Sequence, residues 1–417
     1  MTKEKNRYAW IILIGCCALT AGTGLVLNTC GQWFVSVTTE LEVGTAQLAL
    51  FVTILGICMA IASPFVGKFM AKYNLRLLLT GCWLVVLLGL AAMSFYTEVW
   101  HWYISGAIMG FAGAFCFLIP APVILGNWFM KRNGLAVGIA MSFSGISAAI
   151  ANPIFAAAIS NFGWRTAYLI AAVTVAVIVF PSTLFVLRFK PADKGLKPYG
   201  YEETSEEKSS SSAGTAAITV TGVSSKTAFR SPSFWLLFAM SSFFMFLAGF
   251  AQLMPSYVSS VGLLGIVGFV ATMSMVGNLT GKLGLGAISD KLGGRRSSVI
   301  GLTLVTIGFL LLILGGAKEI FALSGALFYG VSLSLASVAS PILVREAFGV
   351  KDFGNIYSKI NIGISAIGAI GTTVVGLIYD LAGSFIPAFW SGIGLCIVCA
   401  ILMLTGLALA RRLPQDA

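Results

Sequence analysis

The chain has 417 residues, of which 58% are hydrophobic and 10% are charged, and its mean hydropathy is +0.94. A soluble domain of this length cannot bury so many apolar side chains. The composition therefore excludes a soluble globular protein and predicts a polytopic membrane protein.

Twelve stretches of about 20 mostly apolar residues, the length that crosses a bilayer as a helix, follow one another along the chain. We therefore expect an all-α membrane protein with twelve transmembrane helices. The first stretch is longer than a signal peptide and lacks a small-residue cleavage site, which predicts a retained helix. The predicted spans are 9–33, 46–70, 77–96, 102–126, 134–158, 166–189, 233–256, 262–287, 297–315, 320–343, 355–379 and 386–410.

The basic residues predict the orientation, because Lys and Arg in short loops stay on the cytoplasmic side of a membrane. Of the 26 Lys and Arg residues, 23 fall on one side of the predicted spans. Arg165 and Lys318 fall on the other side, and Lys282 lies inside a span. Both termini are thus expected in the cytoplasm of a multi-pass protein of the cell membrane. The net charge of +11 is explained by this topology and needs no nucleic-acid partner.

A loop motif is repeated after the second and the eighth spans. It reads Gly67-x-x-x-Ala71-x-x-Asn74-x-Arg76 in the first copy and Gly286-x-x-x-Asp290-x-x-Gly293-x-Arg295 in the second. A similar pair, 161–168 and 381–390, recurs at nearly the same distance along the chain. The repeat indicates two copies of a six-helix unit.

The segment between spans 6 and 7 separates the two units. Residues 191–231 contain a cluster of Glu, a run of Ser at 209–212 and few large apolar side chains. Such a composition is typical of a flexible linker. We therefore predict an N-terminal half of residues 1–190, a cytoplasmic linker of residues 191–231 and a C-terminal half of residues 232–417.

Two six-helix units with this loop motif resemble the major facilitator superfamily over nearly the whole chain. The resemblance implies that the motif forms an inner gate, in which Asp and Arg clip neighbouring helices at the cytoplasmic face until the halves rock. The second copy is complete. In the first copy Ala71 replaces the Asp and Asn74 replaces the second Gly, so that copy lacks the carboxylate.

Two further stretches are similar to monocarboxylate transporters and oxalate:formate antiporters. The first is Trp128-Phe-Met-Lys-Arg-Asn-Gly-Leu-Ala-Val-Gly-Ile-Ala140, whose basic pair Lys131 and Arg132 we expect at the inner gate. The second is the register of Asn278, Lys282 and Gly286, where those families carry Arg at the middle position. The resemblance implies transport of small organic anions. Lys in place of Arg keeps the charge but loses the two-pronged grip of a guanidinium on a carboxylate.

Lys282 is the only Lys or Arg well inside a predicted span. An ionised side chain there costs from about 3 to more than 10 kcal/mol unless it faces a cavity or a partner. We interpret it as the cation of a central anion site, with Asn278 one helical turn away on the same face. The alternative is that the side chain snorkels to the nearby cytoplasmic interface.

The acidic residues support an anionic substrate by their positions. All 15 of them fall in loops, tails or helix ends, whereas cation and proton sites inside membranes depend on Asp or Glu. Other polar residues in the spans are expected to complete the cavity, with helix packing as the alternative role. They are Asn28, Gln32, Gln252, Tyr257, Tyr329 and Asn361. Lys359, at the inner end of span 11, is expected at the inner gate beside the charges of residues 345–352.

These features predict a monomeric secondary transporter that moves a small organic anion, with a co-transported proton or a counter-transported anion and without a metal or cofactor. A larger amphipathic anion, such as a sterol acid or an acidic drug, is the alternative substrate. A membrane enzyme would need a nucleophile, a carboxylate pair or a metal site within the spans, and the sequence has no such constellation there. A receptor would be expected to carry a soluble domain, and the longest segment between spans is the polar linker.

Deleting residues 205–220 should leave substrate affinity and specificity unchanged, because the linker need only connect the halves. Uptake by proteoliposomes containing the shortened protein measures both quantities. A shortened protein that is well folded and correctly inserted, yet chooses a different substrate, would contradict this prediction.

Overall fold

The computed structural model describes residues 2–201, 222–263, 266–315 and 318–414. Over these residues the regular structure is helical. The only β-type pairing among them is two isolated backbone bridges. Eight stretches are long and apolar enough to cross a membrane, and the one over Asn133–Val186 contains two helices. With the less apolar helices included, twelve passages can be followed through the described residues, as predicted.

The first half contains α1 to α6. A π-helical turn, Gly24–Asn28, ends α1, and the short helix Phe34–Leu41 leads to α2. Gly163, with φ of +79°, breaks the helix Asn133–Pro181 into α5 (133–162) and α6 (164–181). The other helices are α1 (Thr2–Thr23), α2 (Thr45–Lys72), α3 (Leu75–Ala92) and α4 (Val99–Ala114, continued by Pro120–Trp128).

The second half contains α7 to α12. These are α7 (Pro232–Gly249, continued by Met254–Ser260), α8 (Val267–Leu292), α9 (Gly294–Gly315), α10 (Glu319–Gly330, continued by Ser340–Phe348), α11 (Phe353–Ala382) and α12 (Ile386–Ala410). Both α4 and α10 are interrupted near the middle and restart beside a proline, Pro120 and Pro341. The shared interruption fits the repeat that the sequence indicates.

One end of the bundle, here called the basic face, gathers the loops rich in Lys and Arg. The Tyr8 hydroxyl donates to the Val186 carbonyl (2.9 Å), and its ring lies 5.4 Å from the ring of Trp128. The start of α1 thus lies beside the ends of α4 and α6. At the opposite face Arg165 forms an ion pair with Glu40, and Trp164 also donates to that carboxylate. Hydrogen bonds from Arg165 and Trp164 hold the pKa of Glu40 below its ordinary value.

The two described ends of the linker are docked on the basic face. The Tyr199 amide donates to the Trp128 carbonyl (2.8 Å), and the Val223 amide donates to the Phe348 carbonyl (2.8 Å). Tyr199 and Val223 both lie within the segment predicted as a flexible linker, 191–231, and these bonds attach its two described ends to the basic face. The linker's middle, 202–221, including the segment proposed for deletion, lies outside the described residues.

The halves pack against each other at the basic face through glycines of the repeated motif. A Cβ atom on Gly67 of α2 would lie 2.2 Å from the Gly354 carbonyl oxygen at the start of α11. A Cβ atom on Gly286 of α8 would lie 2.4 Å from the Gly134 carbonyl oxygen at the start of α5. Backbones this close leave no room for a side chain, so glycine lets the halves meet here.

Gly286→Ala should therefore force the two halves apart at the basic face. Overpacking a close contact of this kind costs about 1 to 3 kcal/mol, which favours a conformation open at that face. The distance between spin labels at Met130 and Lys291 measures the opening. Gly284→Ala, on the same helix with open space around its added Cβ, is the matched control. Equal distance distributions for the two variants would contradict the prediction.

Candidate functional site

Lys282 is buried in α8, with 6% of its surface exposed, and its side chain contacts the other half. Its Nζ donates to the Met141 carbonyl oxygen (3.1 Å) and to the Ser144 hydroxyl (3.2 Å), both on α5. Among the described residues, no carboxylate pairs with it. The charge is therefore held by neutral dipoles across the boundary between the halves.

The direction of the Lys282 side chain argues against snorkelling. The Lys282 backbone lies against Gly138, whereas its Nζ reaches Ser144, farther along α5 from the basic face. Ser144 lies roughly 16 Å along the helix axis from the start of α5 at Asn133, at 1.5 Å per residue. The ammonium thus points towards the middle of the bundle and away from the basic face.

Asn28 joins the same cluster from α1. Its side-chain amide donates to the Ser144 carbonyl oxygen (3.2 Å), while the Ser144 hydroxyl contacts Lys282. Asn28 ends the π-helical turn of α1, and single π turns are frequent at functional sites. Helices α1, α5 and α8 therefore bring three polar side chains together, two from the first half and one from the second. We call Asn28, Ser144 and Lys282 the central cluster.

Two other asparagines that were predicted at the site, Asn278 and Asn361, have buried polar atoms without a partner. The Asn278 Oδ1 atom and the Asn361 Nδ2 atom are buried and unpaired, and the Asn361 Oδ1 atom accepts from the Ser365 hydroxyl (3.3 Å). A buried polar atom without a partner costs about 1 to 3 kcal/mol. Each is thus available to a polar ligand, although neither contacts the central cluster directly through a recorded hydrogen bond.

The structure assigns two of the predicted cavity residues to packing. The Tyr257 hydroxyl donates to the Leu312 carbonyl (2.6 Å), and the Tyr329 hydroxyl donates to the Leu247 carbonyl (2.7 Å). Both bonds stay within the second half and both rings are buried, which fits the alternative role in helix packing, while substrate contact by these tyrosines stays a prediction. Gln32 is exposed near the opposite face, and the side chain of Gln252 lies outside the described residues.

At the predicted inner gate, Asp290 joins the two halves. Its two carboxylate oxygens accept from the backbone amides of Gly134 (2.8 Å) and Leu135 (2.7 Å). These amides belong to the first turn of α5, whose N–H groups have no partner within the helix. A carboxylate there also interacts favourably with the positive end of the helix dipole. Asp290 thus fastens the second half to the first, as the loop motif suggested.

Arg345 is a second link between the halves, although its sequence position predicted it only as one of the charges of residues 345–352. Its Nη2 donates to the Phe129 carbonyl (2.7 Å), and Asp290 interacts with it electrostatically. Its position in a basic loop could not distinguish it from its neighbours. The same is true of Ser144, which appears in the sequence as one small residue among several in span 5.

The other predicted gate residues differ in what they contact. Arg76 donates to the Phe185 carbonyl (2.6 Å) and the Leu187 carbonyl (3.2 Å), so it joins the start of α3 to the segment after α6 within its own half. Lys359 lies with its Nζ 3.6 Å from the centre of the Phe229 ring, on the short helix Ser225–Arg230, and the first amide of that helix donates to Asp352. A cation over an aromatic face is a favourable contact that needs no acid.

Three basic gate residues and one glycine shape the surface of the gate. Lys131, Arg132 and Arg295 are exposed on the basic face, and Arg132, with φ of +60°, precedes α5. Gly293 has φ of +85° and ends α8, a conformation that glycine adopts without strain. Its counterpart Asn74 instead has φ of −62° and caps α3 by accepting from the Arg76 amide (3.0 Å).

Comparisons with known proteins agree with this architecture. The family model described as Major Facilitator Superfamily matches residues 12–266 and 264–416. A solved structure of the proton:xylose symporter XylE covers 98% of this chain and 95% of its own, with a TM-score of 0.72 at 13% identity. At that identity the likeness shows the fold alone.

Two curated relatives show how far the sequence similarity extends. Monocarboxylate transporter 12 of Homo sapiens is 32% identical over 167 residues, which are 39% of this chain and 32% of that protein. The chain thus matches about a third of that relative's length. The MFS-type transporter YhjX of Escherichia coli is 23% identical over 381 residues, which are 88% of this chain and 87% of that protein.

Asp290→Ala should release the start of α5. Removing both carboxylate acceptors and their charge costs about 1 to 2 kcal/mol at a helix start, so the Gly134 and Leu135 amides should exchange hydrogen about 5- to 30-fold faster. Asp290→Asn keeps an oxygen acceptor, so its exchange rates at these two amides should lie between those of the unchanged protein and those of Asp290→Ala. Hydrogen exchange followed by mass spectrometry measures this, with the start of α11, where the Ile356 amide donates to the Asp352 carbonyl, as internal control. Unchanged protection at residues 134–135 would contradict the prediction.

Proposed function

The chain belongs to the major facilitator superfamily, a family of multi-pass membrane transporters, and we propose that it is a secondary transporter of small organic anions, with monocarboxylates as the leading class. One observation carries this proposal: Lys282, a buried cation with no carboxylate partner among the described residues, contacts both halves. The similarity to monocarboxylate transporter 12 over part of the chain supports the substrate class.

The chemistry of the central cluster favours an anion. An ammonium group has three N–H donors, and the Met141 carbonyl and the Ser144 hydroxyl engage two of them. A substrate carboxylate can take the third donor or displace one of these neutral acceptors. Because a charged acceptor forms the stronger hydrogen bond, the carboxylate competes well with a carbonyl. A cationic substrate would meet uncompensated repulsion at the same place.

The same contacts suggest how binding and movement are coupled. Without substrate, Lys282 bonds α8 to α5 and so holds the two halves together near the middle of the bundle. A bound carboxylate that draws Lys282 away from α5 weakens this link. The halves then rock about the central cluster, as in other carriers built from two repeats. Asp290 and Arg345 must release the first half when the basic face opens.

The orientation and the domain limits form part of the proposal. We place the basic face, with both termini, in the cytoplasm of a cell that carries the protein in its plasma membrane, because the loops at this face hold most of the Lys and Arg. The conformation described here is then closed towards the cytoplasm. The halves are residues 1–190 and 232–417, joined by 191–231, and a single copy of the chain is the working unit.

Coupling to a proton or to a second anion follows from the charges. The acidic residues lie at helix ends and in loops, so no carboxylate is positioned in the middle of a span to carry a proton. A proton that accompanies transport therefore travels with the substrate or on Lys282. Exchange of one carboxylate for another at Lys282 needs no proton on the substrate or on Lys282. Counterflow, which measures this exchange, is therefore the direct assay.

Lys282→Gln should abolish transport, because it removes the charge but keeps a polar side chain of similar length. Lys282→Arg should retain part of the activity, since the charge survives in a different geometry. Counterflow of labelled monocarboxylates and dicarboxylates into proteoliposomes measures both effects. Lys318→Gln, an exposed cation on the opposite face, is the control that should transport normally.

Two outcomes would contradict the proposal. Normal counterflow by a folded Lys282→Gln protein would remove Lys282 from the site. Transport of a bulky sterol acid in preference to every small carboxylate would keep the anion site but replace the substrate class.

A further inference from the structure

A second concentration of positive charge lies on the basic face, away from the central cluster and from the links made by Asp290 and Arg345. Residues 70–76, which include the end of the first motif copy, and residues 187–193, after α6, line an open cavity of about 540 Å³. Four basic side chains line it: Lys72, Arg76, Arg188 and Lys190. We call this cavity the basic cleft.

The charges of the basic cleft are not balanced. Among the described residues that line it, Asp193 is the one acid, and one of its oxygens already accepts from the Lys190 backbone amide (3.0 Å). Arg76 donates to two backbone carbonyls, which orient it without neutralising it. Among the described residues, none of the four cations forms an ion pair. Like charges this close repel, so the cleft is suited to a bound anion.

The departure of the first motif copy from the second explains why the cleft is so basic. Ala71 stands where the second copy has Asp290, and a carboxylate at that position would lie in the lining of the cleft. In the second half, Asp290 and Glu346 accompany the corresponding loop, where a Cβ on Gly294 would lie 2.6 Å from a Glu346 carboxylate oxygen. The requirement for Lys and Arg on the inner side of a membrane is met equally by both loops. This requirement therefore does not explain why acidic residues accompany the second loop and not the first.

The apolar surroundings identify the kind of anion. On and next to these segments, large apolar side chains are exposed, where the surface of a membrane protein meets acyl chains. They are Phe69 (39% exposed), Tyr73 (50%), Leu77 (72%), Leu184 (41%) and Phe185 (73%). An apolar surface directly beside unpaired cations matches a molecule with an anionic head and hydrocarbon tails. Basic pockets between membrane helices bind the head groups of anionic lipids by the same physics.

We propose that the basic cleft binds the phosphate head group of an anionic phospholipid, with its acyl chains along the exposed apolar side chains of α2, α3 and α6. Lys72 and Lys190 contact the phosphate as mobile point charges. Arg76 and Arg188 contribute fixed charge at the base of the cleft. The lipid joins the α2–α3 turn to the end of α6 and so stiffens the first half at the basic face.

Native mass spectrometry of the full chain measures lipid retention after exchange into phosphatidylglycerol or phosphatidylcholine. Phosphatidylglycerol should be retained preferentially. Each cation near a membrane surface contributes about a fivefold change in affinity, so Lys72→Gln with Lys190→Gln should reduce retention roughly twenty-five-fold. Ala71→Asp should reduce it about fivefold by supplying the missing carboxylate. Lys291→Gln with Arg296→Gln, in the corresponding second loop, is the matched control and should leave retention unchanged.

Three outcomes would overturn the proposal. Equal loss of lipid in the control variant would show a general effect of surface charge. Equal retention of phosphatidylglycerol and phosphatidylcholine would show that the anionic head is not recognised. Soluble glycerol phosphate or inorganic phosphate that binds as tightly as the lipid, and with the same dependence on Lys72 and Lys190, would show a site for a soluble phosphate. Thermal unfolding of each variant in detergent verifies that the substitutions leave the fold intact.

Discussion

A cation buried in the hydrocarbon region must be hydrogen-bonded. Lys282 finds its hydrogen-bond partners in the other half, so its bonds join the two halves. Its ammonium reaches from the second half to a carbonyl and a hydroxyl of the first. A carboxylate in its own half would have satisfied the charge without any such link. Because the partners are neutral, the charge stays available to an anion, and because they lie across the boundary, any ligand that takes their place alters how the halves are joined.

The two halves repeat one plan but close by different means. Gly67 with Gly354 and Gly286 with Gly134 make equivalent close backbone contacts between the halves. Only the second copy adds a carboxylate, since Asp290 caps the start of α5 while Ala71 leaves the start of α11 without such a cap. The contact between α5 and α8 thus combines a carboxylate with close packing, whereas Gly67 and Gly354 join α2 and α11 by close packing of their backbones.

The sequence was sufficient for those features that depend on pattern, and insufficient for those that depend on a side chain's particular neighbour. Span lengths, basic loops and the repeat predict twelve helices, and the lone cation and complete motif identify Lys282 and Asp290. The sequence shows that Tyr257 and Tyr329 have hydroxyl groups, but not that both donate to carbonyls of their own half. Ser144 has no distinctive signal, because its role arises only when α1, α5 and α8 meet.

The linker's ends connect these observations to the motion of the gate. Tyr199 pairs with the segment just before α5, and Val223 pairs with Phe348, shortly before α11. These are the two helices whose first turns make the contacts between the halves at the basic face. Both bonds lie within one half, because Tyr199 follows α6 and binds the first half, and Val223 precedes α7 and binds the second half. A relative movement of the halves therefore leaves both bonds intact, which agrees with a linker that need only connect the halves.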